Sequence, residues 1–152
     1  MIEIIRTNSE NEDFIELVRH LDAELAVRDG DDHAFYAQFN EIAKLKHVVV
    51  AYEDGKPVGC GAIRALDSSD IEIKRMFVPT ELRGKGIATQ VLLELEKWAR
   101  EMDFTRCVLE TGLKQPEAIR LYEKNDYSRI PNYGQYIDIG NSVCFGKRIS
   151  DR

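Results

Sequence analysis

Little in this sequence suggests a membrane, a metal or a nucleic acid. The longest apolar run is Val48-Val49-Val50-Ala51-Tyr52, far short of the roughly 20 residues with which a helix crosses a bilayer. Met1-Ile2-Glu3 opens with neither a basic segment nor a signal-like core, so the expected location is cytoplasmic. The cysteines, Cys60, Cys107 and Cys144, are odd in number and far apart, and each falls in a strand-like run. Buried reduced thiols are therefore expected rather than a disulfide framework. With His20, His33 and His47 equally scattered, no metal site is expected. Basic residues are in the minority: 21 Lys and Arg against 27 Asp and Glu give a formal net charge of -6. That disfavours nucleic acid or an anionic membrane as partner. It suits a cationic acceptor, and it equally serves solubility. The sequence carries no repeat, linker or low-complexity stretch.

What is present fits one domain spanning residues 1–152, with 43% hydrophobic and 32% charged residues. Ile2-Glu3-Ile4-Ile5-Arg6 reads as a first strand. Ser9-x-x-Glu12 has the capping-box pattern ahead of Phe14, Leu17, Val18, Leu21 and Leu25, which share one helical face. The cluster Asp29-Gly30-Asp31 ends that helix, and a second amphipathic segment carries Phe35, Phe39, Ile42 and Ala43. Strands at His47 to Tyr52 and Val58 to Leu66 flank Glu53-Asp54-Gly55-Lys56-Pro57, a hairpin turn with Asp-Gly at its centre. Asp67-Ser68-Ser69-Asp70 turns the chain into a further strand that ends at Pro79. Ile87, Val91, Leu92, Leu95, Trp98, Ala99 and Met102 then recur at helical spacing. Arg106 to Glu110 reads as a strand parallel to the one ending at Val78. A helix led by Pro116 follows and closes near Asn125. The tail holds strand-like Tyr136 to Ile139 and Ser142 to Phe145. This order predicts an α+β fold with a mixed central sheet flanked by about four helices.

Between strand and helix lies Val78-Pro79-Thr80-Glu81-Leu82-Arg83-Gly84-Lys85-Gly86-Ile87-Ala88. Its two glycines fall where helix N-terminal amides are unpaired, so an anionic group can approach the backbone. A Walker loop is excluded because Ile87, not Lys, follows Gly86. A dinucleotide fingerprint is excluded by Thr89 and by the four residues between strand and first basic position. A helix start with flexible glycines and solvated Arg83 and Lys85 is the plain alternative.

With its flanks the loop resembles the acetyl-coenzyme A pyrophosphate loop of the GNAT N-acetyltransferase superfamily. The pattern Arg-x-x-Gly-x-Gly/Ala is met by Arg83, Gly86 and Ala88. The element order from Ile2 to Arg148 is also that of the GNAT, or acyl-CoA N-acyltransferase, fold. The resemblance implies acetyl transfer from acetyl-CoA directly to an amine, without a covalent enzyme intermediate or a metal. It implies donor contacts from the Met76, Phe77 and Val78 backbone to the pantetheine arm, with the Met76 N–H aimed at the thioester oxygen. The pyrophosphate would rest on Arg83, Gly84, Lys85, Gly86, Ile87 and Ala88. Tyr122, in Ala118-Ile119-x-Leu121-Tyr122, matches the tyrosine that protonates or hydrogen-bonds the departing thiolate; core packing is the alternative for an aromatic at helical spacing.

Two departures stand out. Gln115 replaces an asparagine that touches pantetheine, and Asp126 stands where glycine is usual and would need a left-handed backbone. The amine must lose a proton, and the base is Glu72 or, as rival, Glu110; either could instead be a solvated strand carboxylate. Arg64, Tyr133 and Tyr136 are candidates for lining the acceptor pocket, or else ordinary surface residues. A small-molecule amine or amino acid is the expected acceptor. A protein N-terminus or lysine, or a coenzyme A-binding regulatory module without turnover, are the alternatives. An exposed strand edge would permit a homodimer.

Overall fold

The computed structural model describes residues 1–29 and 42–150. Its elements follow in the order β1 (Ile2–Thr7), α1 (Glu12–Asp29), β2 (His47–Glu53), β3 (Lys56–Ala65), β4 (Asp70–Phe77), α2 (Ile87–Glu101), β5 (Arg106–Gly112), α3 (Pro116–Lys124), β6 (Ser128–Ile130) and β7 (Ser142–Arg148). The strands hydrogen bond in the order β1-β2-β3-β4-β5-β7-β6, one seven-stranded mixed sheet. Three α-helices accompany it among the described residues. The expected second amphipathic segment, with Phe35 and Phe39, lies outside them. Ile42, its last large apolar residue, is buried.

Local chemistry accounts for most boundaries. The β2–β3 hairpin turns on Asp54 and Gly55, both at positive φ (52° and 80°), as a two-residue turn of the favoured hand requires. The α1 start differs from the capping-box expectation. Asn11, not Ser9, is the cap: its side-chain oxygen accepts from the Phe14 N–H at 2.9 Å. Ser9 is buried instead, its hydroxyl donating to the Ala43 carbonyl and its N–H to that of Leu45. Helices α2 and α3 both close on an aspartate in the left-handed region, Asp103 (φ 69°) and Asp126 (φ 73°). After α3, the Tyr127 N–H reaches back to the Tyr122 carbonyl and the Asp126 N–H to that of Glu123, a Schellman closure. Asp126 thus does the work usually given to glycine.

The tail departs from expectation. Tyr136 to Ile139 is not a strand, because Gly134–Tyr136 forms a 3-10 turn. The Asn132 side-chain amide donates to the carbonyls of Tyr136, Ile139 and Ser142, which gathers this segment into a closed loop. The strand pairing with β7 is β6, with Ser128 opposite Gly146 and Ile130 opposite Cys144. Exposed Ile137 and Ile139 show why apolar alternation misled here: they face solvent rather than a sheet face.

The chain divides into two compact units, the first formed by Met1–Arg64 with Lys74–Leu95, the second by Ala65–Ile73 with Glu96–Arg152. In the first, Phe14, Leu17 and Val18 of α1 pack with Val48, Val50, Cys60, Ala62 and Phe77 of the strands. Gly61 of β3 lets α2 lie close, since a Cβ there would come within 2.6 Å of the Met76 sulfur and 2.8 Å of Leu95 Cδ1. In the second, Ile71, Cys107, Val108, Leu109, Val143 and Phe145 form the core. The parallel β4–β5 ladder runs over three pairs, Asp70 with Arg106 to Glu72 with Val108, whereas β5 pairs with β7 along its whole length.

The second unit also buries a charge. Glu96 is 1% exposed; Lys147 Nζ lies 2.9 Å from one carboxylate oxygen and Tyr127 donates to the other at 2.8 Å. Tyr127→Phe is expected to cost about 1–3 kcal/mol, because it leaves that oxygen short of a donor in a dry site. Urea unfolding checks this, with a lower midpoint at unchanged slope.

Candidate active site

In the first unit the glycine loop is held open by its own backbone. Gly84 and Gly86 sit at φ 85° and 81°, where a Cβ would be strained although space is free around both. The first α2 amide to find a carbonyl is that of Gln90, which donates to Gly86 at 3.1 Å. The N–H groups from Gly84 to Thr89 precede that bond and point out of the helix start, the geometry in which backbone amides meet an anion. Lys85 is exposed beside them. Arg83 has partners within the chain. Its Nε donates to the Val78 carbonyl at 2.8 Å and its outer nitrogen reaches both Glu24 oxygens at 3.2 and 3.1 Å. The guanidinium also lies 5.8 Å from the Phe77 ring centre. It therefore ties the loop to the end of β4 and to α1.

Upstream, β4 is irregular. Arg75 adopts φ 57° inside a strand, a conformation costing a non-glycine residue about 1–2 kcal/mol. Met76, Phe77 and Val78 follow directly. Arg64 is exposed near the end of β3.

The second unit brings together most of the residues expected to do chemistry. Glu72 on β4 is 2% exposed and accepts a hydrogen bond from the Tyr133 hydroxyl at 2.6 Å. Tyr136 packs edge-on against Tyr133, with ring centres 5.6 Å apart. Glu110, at the C-terminal end of β5 and half-buried, accepts from the Ser142 hydroxyl at 2.5 Å. Cys144 of β7 lies opposite Glu110 in the ladder. Its thiol is pushed up by burial and by the charges of Glu110 and Glu72, against a lowering contribution from the Tyr133 N–H. Tyr133 is thus anchored at both its backbone and its hydroxyl. Its own phenol is raised, first by burial and then by the bond to Glu72.

Tyr122 of α3 is 6% exposed, packed against the rings of Tyr127 (5.7 Å) and Phe145 (6.4 Å). Burial and then the Glu110 charge raise its phenol, so it remains protonated. It is a core residue whose phenol keeps its proton in the field of the Glu110 carboxylate. Gln115 stands at the N-cap position of α3 without a side-chain cap bond, and its N–H donates to the Gly112 carbonyl at 3.0 Å.

Three contributors were not legible as such. Ser142 lies next to an Asn in a run that reads as a turn. Asn132 carries no motif. Asp22 is buried on α1 and pairs with Arg75. Asp22 left a signal, because it sits four residues after Val18, on the apolar face, where an acid needs a partner. Among the described residues no group of three or more His, Cys, Asp or Glu side chains could hold a metal ion. The three cysteines are free and buried.

The comparisons with known proteins bear on the family and the fold. The model of the Acetyltransferase (GNAT) family matches residues 12–127. The IAA acetyltransferase of Azospirillum brasilense is 32% identical over 144 residues, covering 89% of this chain and 90% of that protein. The Escherichia coli N-acetyltransferase YjgM, itself uncharacterized, is 42% identical over 85 residues. That match spans 54% of this chain and half the length of the relative. Among solved structures, the PaiA N-acetyltransferase of Thermoplasma acidophilum in complex with coenzyme A superposes with a TM-score of 0.78 at 19% identity, covering 97% of this chain and 99% of that one. The chain belongs to the GNAT acetyltransferase family, the acetyl-CoA-dependent N-acetyltransferases.

Proposed function

We propose that residues 1–152 act as one catalytic domain that moves an acetyl group from acetyl-CoA directly to the amine of a small molecule or amino acid. The observation that carries this reading is the loop from Arg83 to Ala88, with two glycines at positive φ and unpaired amides ahead of a long helix. Those amides, with Lys85, take the pyrophosphate. Because Arg83 already serves Val78 and Glu24, its role is to shape the loop more than to touch the ligand. The Met76 to Val78 backbone takes the pantetheine arm, and Gln115 supplies a polar contact where the family pattern has asparagine.

In the reaction the amine nitrogen forms a bond to the thioester carbonyl carbon. Glu72 removes the ammonium proton directly or through water, the Met76 N–H stabilises the oxyanion, and as the C–S bond breaks the nitrogen gives up its second proton to solvent and the thiolate leaves with a hydrogen bond from Tyr122. Glu110, braced by Ser142, is the second candidate for the base. Tyr133 and Tyr136 offer aromatic faces suited to a cationic acceptor, and Arg64 suits an acceptor carboxylate.

Thiol release from acetyl-CoA against amino acids, polyamines, aminoglycosides and short peptides, with calorimetric coenzyme binding alongside, tests this. Turnover with one small-amine class is the expected outcome. Turnover confined to peptides moves the reading to a protein acceptor. Binding without turnover moves it to a coenzyme-binding module, and absence of binding refutes it.

A further inference from the structure

We infer that the buried Asp22–Arg75 ion pair is a positioning device that holds the left-handed bend of β4 and thereby aims the Met76 N–H. This rests on the reading of Met76 as the oxyanion donor. Arg75 is the residue immediately before Met76, and its φ of 57° inside a strand turns the following amide away from the regular ladder direction. Such a conformation persists only where the surroundings over-determine it. Two contacts do so. The guanidinium Nη1 meets Asp22 Oδ1 at 3.0 Å, with side chains only 11% and 4% exposed. The Arg75 carbonyl accepts from the Cys60 thiol at 3.4 Å. Burial raises that thiol to about 12, so it keeps the proton it donates.

The pair is poorly built for stability alone. Asp22 Oδ2 is buried without a partner, and burial raises the carboxyl against the lowering pull of Arg75. A half-satisfied buried pair is commonly matched or bettered by apolar residues of the same volume. Its value here lies in the backbone geometry it enforces. Residues of α1 and β3 hold this one residue of β4 from its side chain and from its carbonyl, and the next amide is the one the chemistry needs.

The test uses the full chain and the fact that glycine adopts φ 57° without strain. Asp22→Ala is expected to lower kcat on the order of tenfold, within the 10²-fold that a misplacement of about 1 Å can cost, with KM for acetyl-CoA unchanged. Asp22→Ala combined with Arg75→Gly removes both the buried cation that has lost Asp22 and the strain, and is expected to recover most of that loss. A double variant as slow as Asp22→Ala, or a loss confined to the KM of the acceptor, would overturn the proposal. If Asp22→Ala does not fold, Asp22→Asn, which keeps one hydrogen bond to the guanidinium, gives the same comparison with and without Arg75→Gly. The Met76 amide resonance in the ligand-free protein separates this from the proposed function. It is expected to shift in Asp22→Ala and, in the double variant, to coincide with that of Arg75→Gly alone even if the parent turns nothing over, and a resonance unmoved by Asp22→Ala refutes the positioning role.

Discussion

Glu72→Gln is expected to lower kcat about 10²–10⁴-fold, the range a positioned general base supplies, while KM for acetyl-CoA stays near the parental value. The substitution isolates chemistry from structure. Glutamine has the size of glutamate, and its side-chain carbonyl can still accept the Tyr133 hydroxyl that reaches Glu72 at 2.6 Å. Thermal unfolding of the variant should therefore lie within about 1 kcal/mol of the parent. The control is Glu110→Gln, which removes the rival carboxylate but leaves its contact with Ser142 in place. The larger loss identifies the base. If Glu110→Gln is the crippled variant and Glu72→Gln turns over freely, then Glu72 braces the loop carrying Tyr133, and the half-buried Glu110 takes the proton. Equal, small losses in both would mean that desolvation alone supplies the neutral amine.

The sequence made some of this visible and hid the rest for physical reasons. Local rules worked where one residue decides one dihedral. Asp54-Gly55 set the hairpin, Gly84 and Gly86 set the loop, and Asp126 took the left-handed turn demanded of it. The apolar stripe of α2 was equally plain, since Ile87, Val91, Leu92, Leu95 and Ala99 are all buried. Local rules failed where side chains from distant positions compete. Ser9 looked like a cap, yet it is drawn to the carbonyl of Ala43, which leaves Asn11 to cap the helix. Tyr136 to Ile139 had the alternation of a strand, but Asn132 claims three carbonyls of that region and folds it into a loop. In the site, residue types were readable and partners were not. Nothing in spacing links Glu72 to Tyr133, which stand 61 residues apart, or Asp22 to Arg75, which stand 53 apart. Arg83 shows the limit of a motif: the pattern locates the arginine, and only the fold shows it tied to Val78 and Glu24.

Tyr122→Phe is expected to reduce kcat roughly 10- to 150-fold, the worth of a hydrogen bond to a charged group at about 1.5–3 kcal/mol, without altering the shape of the pH profile below about pH 10. The sign follows from the environment of the phenol. Burial first, and the Glu110 charge second, push Tyr122 above the ordinary tyrosine value. It is therefore uncharged and able to donate throughout the working range. The same shift makes it a poor acid. Even an unperturbed phenol near 10 lies about 1.5 units above a thiol near 8.5, so handing over its proton costs about 2 kcal/mol, and burial adds to that. In the proposed reaction Tyr122 therefore donates a hydrogen bond to the thiolate as the C–S bond breaks, with the thiolate taking its proton later from solvent. The ring itself should not be missed structurally, because phenylalanine keeps the contacts to Tyr127 and Phe145. Stability and coenzyme affinity should therefore match the parent while kcat falls. An alkaline limb in the parent below pH 10 that vanishes in Tyr122→Phe would show that the phenol does titrate during turnover, and a variant with undiminished kcat would leave Tyr122 as core alone.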